Sequence, residues 1–333
     1  MGGPVRLEPA VLGWETEMVN GVCAVRMAAR ELLASAGADR MVRVWDPATG
    51  VLVHTLEGHT KWVEEVCAVR VDRGELLVSA GADRTVRIWD PATGVLKRTL
   101  EAHTGWVNGV CALHVAGHEA LASAGSDAMV RIWDPATGLL ERTLEGHTGW
   151  VNGVCALRVA GHEVLASAGT DGIRIWDPAT ALPERTLEGH TGWIRGVCAV
   201  RGDGSELLAS AGDDATVRIW NPATGVLERT LEAHTSRVNA VCTVHVDGRE
   251  LLASGGTDGR VRIWDPATGL LERVLEGHTG WVNGVCAVHV DGRKLLASAG
   301  DDATVRITDP VTGVLECTLK AHTDGLHRRV RYK

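Results

Sequence analysis

Three Cys-x-x-His pairs could do chemistry: Cys111 with His114, Cys242 with His245, and Cys286 with His289. Thiolate and imidazole are ligands that zinc favours, and zinc needs four of them converging. The surrounding segments, VCALHV, VCTVHV and VCAVHV, read as β-strand. Residues three apart on a strand point to opposite faces, so neither pair member can join the other on one ion. Elsewhere the same position holds Arg26, Arg70, Arg158 and Arg201, which suits a polar, partly exposed strand end. No metal site is expected. Serine, histidine and aspartate also recur, and together they are the ingredients of a hydrolase triad. No G-x-S-x-G nucleophile elbow is present. There is no phosphate-binding P-loop and no G-x-G-x-x-G opening a helix, so no cofactor is expected.

These residues belong to a larger regularity. The string VRIWDPATG or a close variant returns with Trp45, Trp89, Trp133, Trp176, Trp220 and Trp264, and Thr308 takes the seventh place. The spacings are 44, 44, 43, 44, 44 and 44 residues. A fixed period of that size marks one supersecondary unit copied along an array. A residue found in every copy then builds the unit. A residue that varies at one position is the better candidate for recognition.

The second copy shows the unit. Trp62–Val71 is apolar and β-branched, a buried strand. Glu75–Ala80, Thr85–Trp89 and the more polar Val95–Leu100 follow, separated by turn residues such as Asp90-Pro91-Ala92-Thr93-Gly94. Four short strands make a small antiparallel sheet that buries neither face alone. Seven such sheets in a ring cover one another, which predicts an all-β, seven-bladed propeller of four-stranded antiparallel blades. The apolar strand should be innermost and the VLERTLE-type strand outermost, with no helix. The expectation is a single domain over 1–333, with blades starting near 18, 62, 106, 150, 193, 237 and 281. Residues 1–12 and 323–333 are terminal segments.

Composition narrows the partners. The 333-residue chain has a formal net charge of −8. That argues against a general nucleic-acid binder, which needs a basic surface, and against an anionic membrane as partner. The short basic tail Leu326–Lys333 reads as a solvated terminus. No stretch approaches the ~20 apolar residues of a membrane span. The first residues lack a signal-peptide pattern, and Arg6 stands where a myristoylation signal has Ser or Thr. Seven of eight Cys occupy one repeat position, Cys23 to Cys286, as small core residues, and Cys317 is the exception. A cytoplasmic monomer is expected.

Gly-His at residues 58–59, 146–147, 189–190 and 277–278 and Ala-His at 102–103, 233–234 and 321–322 keep phase with the Trp-Asp dipeptides through the array. Trp220-Asn221 is the one variant dipeptide. With these elements, over about residues 11 to 322, the chain resembles the WD-repeat propeller family. The resemblance implies a buried Asp-His-Ser-Trp chain of hydrogen bonds in each blade. By position these are Asp83, His59, Ser79 and Trp89; Asp127, His103, Ser123 and Trp133; Asp171, His147, Ser167 and Trp176; Asp214, His190, Ser210 and Trp220; and Asp258, His234, Ser254 and Trp264. Donors and acceptors match along such a chain. Five copies, each with an indole on its serine, argue for architecture over catalysis.

The end copies depart. Blade one has Ser35, Asp39 and Trp45, but Glu15 where His belongs. The extra Ala321-His322-Thr323 follows the last outer strand, so His322 is expected to supply that imidazole and close the ring. The competing closure makes Val5–Leu12 the outer strand of blade seven, against which Pro9 speaks.

The resemblance also implies that the residue three past each His faces the rim of the central channel. These are Met18, Trp62, Trp106, Trp150, Trp193, Arg237 and Trp281, followed two residues on by Asn20, Glu64, Asn108, Asn152, Arg195, Asn239 and Asn283. Trp and Arg are enriched at binding hot spots. The expectation is a non-enzymatic scaffold or sensor that presents Trp62, Trp106, Trp150, Trp193, Arg195, Arg237 and Trp281 to a protein or peptide. Alternatives are a glycan-binding propeller and the sensing module of a larger signalling protein.

Overall fold

A computed structural model describes residues 18–27, 30–71, 74–201, 205–320 and 322. Those residues form 28 strands in seven four-stranded antiparallel sheets, with no helix among them. Each sheet is contiguous in sequence, and the strand order in space is the order along the chain. Blade two runs Val63–Val71, Gly74–Gly81, Thr85–Trp89 and Leu96–Glu101 from centre to outside. Blade seven is equally self-contained, and its outer strand is Leu315–Lys320. Val5–Leu12, the terminal segments 1–12 and 323–333, and the tail Leu326–Lys333 lie outside the described residues.

The sheets hold together through their faces. One apolar cluster joins Leu113, Val130 and Ile132 of blade three to Val151, Leu165 and Trp176 of blade four. Val288, Leu295 and Ile307 of blade seven meet Val19, Leu33 and Trp45 of blade one in the same way, so the ring is closed by packing. Each buried indole thus sits between two sheets, and losing one removes about 3–5 kcal/mol.

One irregularity matters for function. Each inner strand carries a bulge at its second residue: Val63 pairs with Gly81 and Glu65 with Ala80, leaving Glu64 out of register. The same shift recurs at Asn108, Asn152 and Asn283. A bulge re-aims a side chain, and here it turns these residues toward the next blade.

Candidate interaction face

The loops that carry the rim are anchored from below. In blades two to six the indole Nε1 of Trp89, Trp133, Trp176, Trp220 or Trp264 donates to Oγ of Ser79, Ser123, Ser167, Ser210 or Ser254 at 2.7 to 2.9 Å. Each serine lies 2.7 to 2.8 Å from Nε2 of His59, His103, His147, His190 or His234. Each Nδ1 lies 2.6 to 3.1 Å from Asp83, Asp127, Asp171, Asp214 or Asp258. The indole can only donate, so the serine proton goes to Nε2 and the Nδ1 proton to the carboxylate. Both capacities of each serine are engaged, and the five side chains are fully buried. The carboxylate then accepts the backbone N–H after the histidine, as Thr60 does to Asp83 at 2.9 Å, and this fixes the loop that leads to the rim.

The glycine that ends each second strand is dictated by this chain. A Cβ on Gly81 would stand 2.5 Å from His59 Nδ1 and 2.6 Å from Asp83 Oδ1. The imidazole and carboxylate occupy the space a side chain would need.

In blade one, Nε2 of His322 lies 3.0 Å from Ser35 Oγ, its Nδ1 lies 2.8 Å from Asp39, and Trp45 donates to Ser35 at 3.0 Å. His322 is fully buried. The last strand of the ring thus hands an imidazole to the first blade. Blade seven keeps His278, Ser298 and Asp302 at 2.8 and 3.0 Å, but Thr308 gives the serine no indole donor.

Sequence reasoning missed two other groups of residues that hold the structure. Asn20, Asn108, Asn152, Asn239 and Asn283 donate to the carbonyls of Val63, Val151, Ile194, Val282 and Val19, each on the next blade. The Asn residues of the expected face are therefore spent inside the ring. Their signal was the repeat itself, but the bulge that aims them is invisible in sequence. At the opposite end of the inner strands, Glu75, Glu206, Glu250 and Glu31 accept the backbone N–H of Arg26, Arg158, Arg201 and His289 on the preceding blade.

The seam between blades two and three has neither clasp among the described residues. Glu64 replaces Asn, cannot donate when ionised, and leaves Oε1 buried without a partner. Burial pushes its carboxyl up to about 7. Its neighbour Glu65 stands where most blades have Gly and projects into the central channel, a cavity of about 190 Å³. Burial pushes Glu65 up to about 8.

The rim residues pair off around the ring. Trp62 and Trp106 have ring centroids 6.4 Å apart, and Trp150 and Trp193 are 5.8 Å apart. Arg195 lies 5.0 Å over Trp193 and Arg237 lies 5.3 Å over Trp281. Arg195 is itself held by two bonds to Asp213 at 2.7 and 2.9 Å, so it positions Trp193. Trp106, Trp150, Trp193 and Trp281 remain 44%, 48%, 42% and 46% exposed, and Trp62 is half-buried.

The family model for the WD domain, G-beta repeat, matches seven consecutive segments: 15–46, 50–90, 94–134, 138–177, 182–221, 225–265 and 269–309. The chain belongs to the WD-repeat family. A comparison with curated proteins gave no match.

Within this WD-repeat ring the clasps come in two forms. In blades two, five and seven, Thr85, Thr216 and Thr304 donate to the aspartate at 2.8, 2.8 and 2.6 Å. The third-strand arginine there leans on the glycine of Gly-His. A Cβ on Gly58, Gly189 or Gly277 would meet Nη1 of Arg87, Arg218 or Arg306 at 2.6 to 2.7 Å. In blades one, three and six the threonine position holds Met41, Met129 and Arg260, and Ala precedes the histidine. There Arg43, Arg131 and Arg262 donate to the aspartate at 2.6 to 2.9 Å. Blade four keeps Gly146, but its turn is one residue shorter, and Arg174 reaches Asp171 at 2.9 Å. Alanine before histidine is thus one half of a paired exchange.

Charge follows the same geometry. Burial alone would raise Asp83, Asp127 and Asp302, but hydrogen bonds from their histidines hold them well below the usual carboxylate range. Burial lowers His103, His147 and His322, and the nearby guanidinium adds to it. His234 is brought down to about 4 by burial and by Arg262. These imidazoles are neutral at pH 7, which the donor order requires.

Proposed function

We propose that this WD-repeat propeller is a non-enzymatic interaction platform that binds a protein or peptide on its Trp rim. The observation that carries the reading is four Trp side chains, nearly half exposed, on loops fixed by buried hydrogen-bond chains. Propellers of this family are generally protein-interaction scaffolds. Large exposed aromatics grouped on one face call for a partner, and rigid anchors lose little entropy when they bind. The contact set is Trp62, Trp106, Trp150, Trp193 and Trp281 with Arg237, while Arg195 orients Trp193. The Ser-His-Asp sets of blades one to six support this reading, since each of their serines is fully buried and takes an indole donor.

The test is affinity capture with wild type and with the Trp106→Ala/Trp150→Ala variant, both checked for unchanged melting. Partners lost by the variant support the rim, and equal recovery rejects it. The exposed indoles could also stack on sugars, so a glycan array run in parallel separates a lectin from a scaffold.

A further inference from the structure

The copies differ most on one side of the rim. The turn between second and third strands reads Ala38-Asp39-Arg40 in blade one and Ala82-Asp83-Arg84 in blade two. In the other blades the first place is Ser, Thr or Asp and the third is Gly or Ala. Lys61 precedes Trp62, where blades three to seven have Gly or Ser. These departures converge in space. Ala38, Arg40, Lys61, Trp62, Ala82 and Trp106 line one pocket of about 470 Å³.

Each departure has a physical consequence there. Ser126 and Asp301, the turn residues of blades three and seven, fill the equivalent space and bond to Asn108 and Asn283. Ala38 and Ala82 leave that floor open and apolar. The Trp62–Trp106 pair forms a wall that crosses the unclasped seam. Arg40, Lys61 and Arg84 are exposed, and among the described residues none of them is in an ion pair. Arg40 and Arg84 share the left-handed backbone of this turn position, φ 73° and 71°, with Ala128, Ala215 and Ala303, so what sets them apart is the cationic side chain. Of the acids nearby, Asp39 lines the pocket and is engaged by Arg43 and His322, and Asp83 is turned inward onto His59, Thr60 and Thr85. Burial pushes the Glu64 carboxyl up to about 7, which weakens its charge beside the pocket. On a protein of net charge −8, this is a local basic spot around an apolar hole.

We propose that this pocket docks an acidic peptide segment of the partner. A bulky apolar side chain enters between Trp62 and Trp106 over Ala38 and Ala82, and neighbouring Asp or Glu residues meet Arg40, Lys61 and Arg84. The inference rests on the platform reading above and specifies the partner's chemistry. Apolar anchor and charge act together: burial supplies affinity, and the cations supply orientation and on-rate.

The test is selection of a random heptapeptide library displayed on phage against the intact protein. Selected peptides are then synthesised and titrated by fluorescence anisotropy. Sequences joining Leu, Phe or Trp to Asp or Glu are expected. Their affinity should fall at least tenfold on Arg40→Glu/Lys61→Glu, fall on Ala82→Thr, weaken in high salt, and survive Trp281→Ala. Selected sequences that are basic or uncharged overturn the proposal, as does no enrichment. Binding that depends on Trp150, Trp193 or Trp281 but not on Arg40 and Lys61 overturns the pocket while leaving the platform intact. Loss of binding in the Trp variants with the charge variants unaffected is therefore distinguishable from failure of the platform reading, which the capture experiment decides separately.

Discussion

Substituting Gly58→Ala and Thr85→Met together should convert blade two from one clasp to the other. Alone, Thr85→Met removes the 2.8 Å hydroxyl bond to Asp83. A bond to a charged acceptor is worth about 1.5–3 kcal/mol, and the lower end applies because His59 and Thr60 still serve the carboxylate. Alone, Gly58→Ala places a methyl 2.6 Å from Arg87 Nη1 and 3.0 Å from Trp89 Cη2. The buried indole cannot yield, so the flexible guanidinium must, at about 1 kcal/mol of overpacking. With both changes Arg87 is driven toward the Asp83 oxygen that Thr85 has vacated, as Arg131 sits on Asp127. The double variant should therefore lie within ~1 kcal/mol of wild type, a coupling of about 1.5 kcal/mol. Native-state hydrogen exchange of strand Gly74–Gly81 reads this blade locally, which a global melt of a repeat protein does not. Additivity within about 0.5 kcal/mol would refute the paired exchange.

Other substitutions test the remaining contacts. His322→Ala removes one bond to Ser35 and one to the Asp39 carboxylate, together about 3 kcal/mol, and should lower the melting temperature by about 4 °C with fastest exchange in blades one and seven; an unchanged melt contradicts ring closure by this residue. Ser123→Ala strands both the Trp133 N–H and His103 Nε2, whereas Ser298→Ala strands only His278 Nε2, so urea unfolding should show the blade-three change costing about twice as much. Glu64→Asn restores a donor toward blade three. Because the folded state raises this carboxyl from 4.5 to about 7, its stability contribution is full below pH 4.5 and is lost as pH rises toward 7. The variant should gain up to about 3 kcal/mol at pH 8 and much less at pH 5, and equal gains at both would contradict the account. His234 is lowered from 6.5 to about 4, so the folded state binds fewer protons and stability falls as pH drops through that interval. In a Glu64→Asn/Glu65→Gly background, which removes both raised carboxyls, the melting temperature should decline from pH 6.5 to 4, and a rise would refute neutral buried imidazoles.

Much of the architecture was legible in the chain. A period of 44 residues, strand-length apolar runs and turn residues between them leave few ways to bury a small sheet, and a ring of seven is the one that covers every face. The small strand discrepancies have local causes. Trp62 stands outside the inner strand because its carbonyl already accepts Ala82 N–H from the turn. Val95 leaves the outer strand because it closes the Asp90 turn, where its carbonyl accepts the Asp90 N–H.

Other features exist only once seven sheets meet. Asn108 reads as a surface polar residue until a bulge turns it onto the carbonyl of Val151. Arg131 reads as a strand residue until Asp127 and His103 are brought against it from two other segments. The pocket at Trp62 and Trp106 is assembled from three blades, so no single repeat contains it. Periodicity in one dimension specifies what each unit is. Which side chains satisfy their neighbours and which stay open to a partner is set by contacts between units, and those contacts have no signature within a single copy.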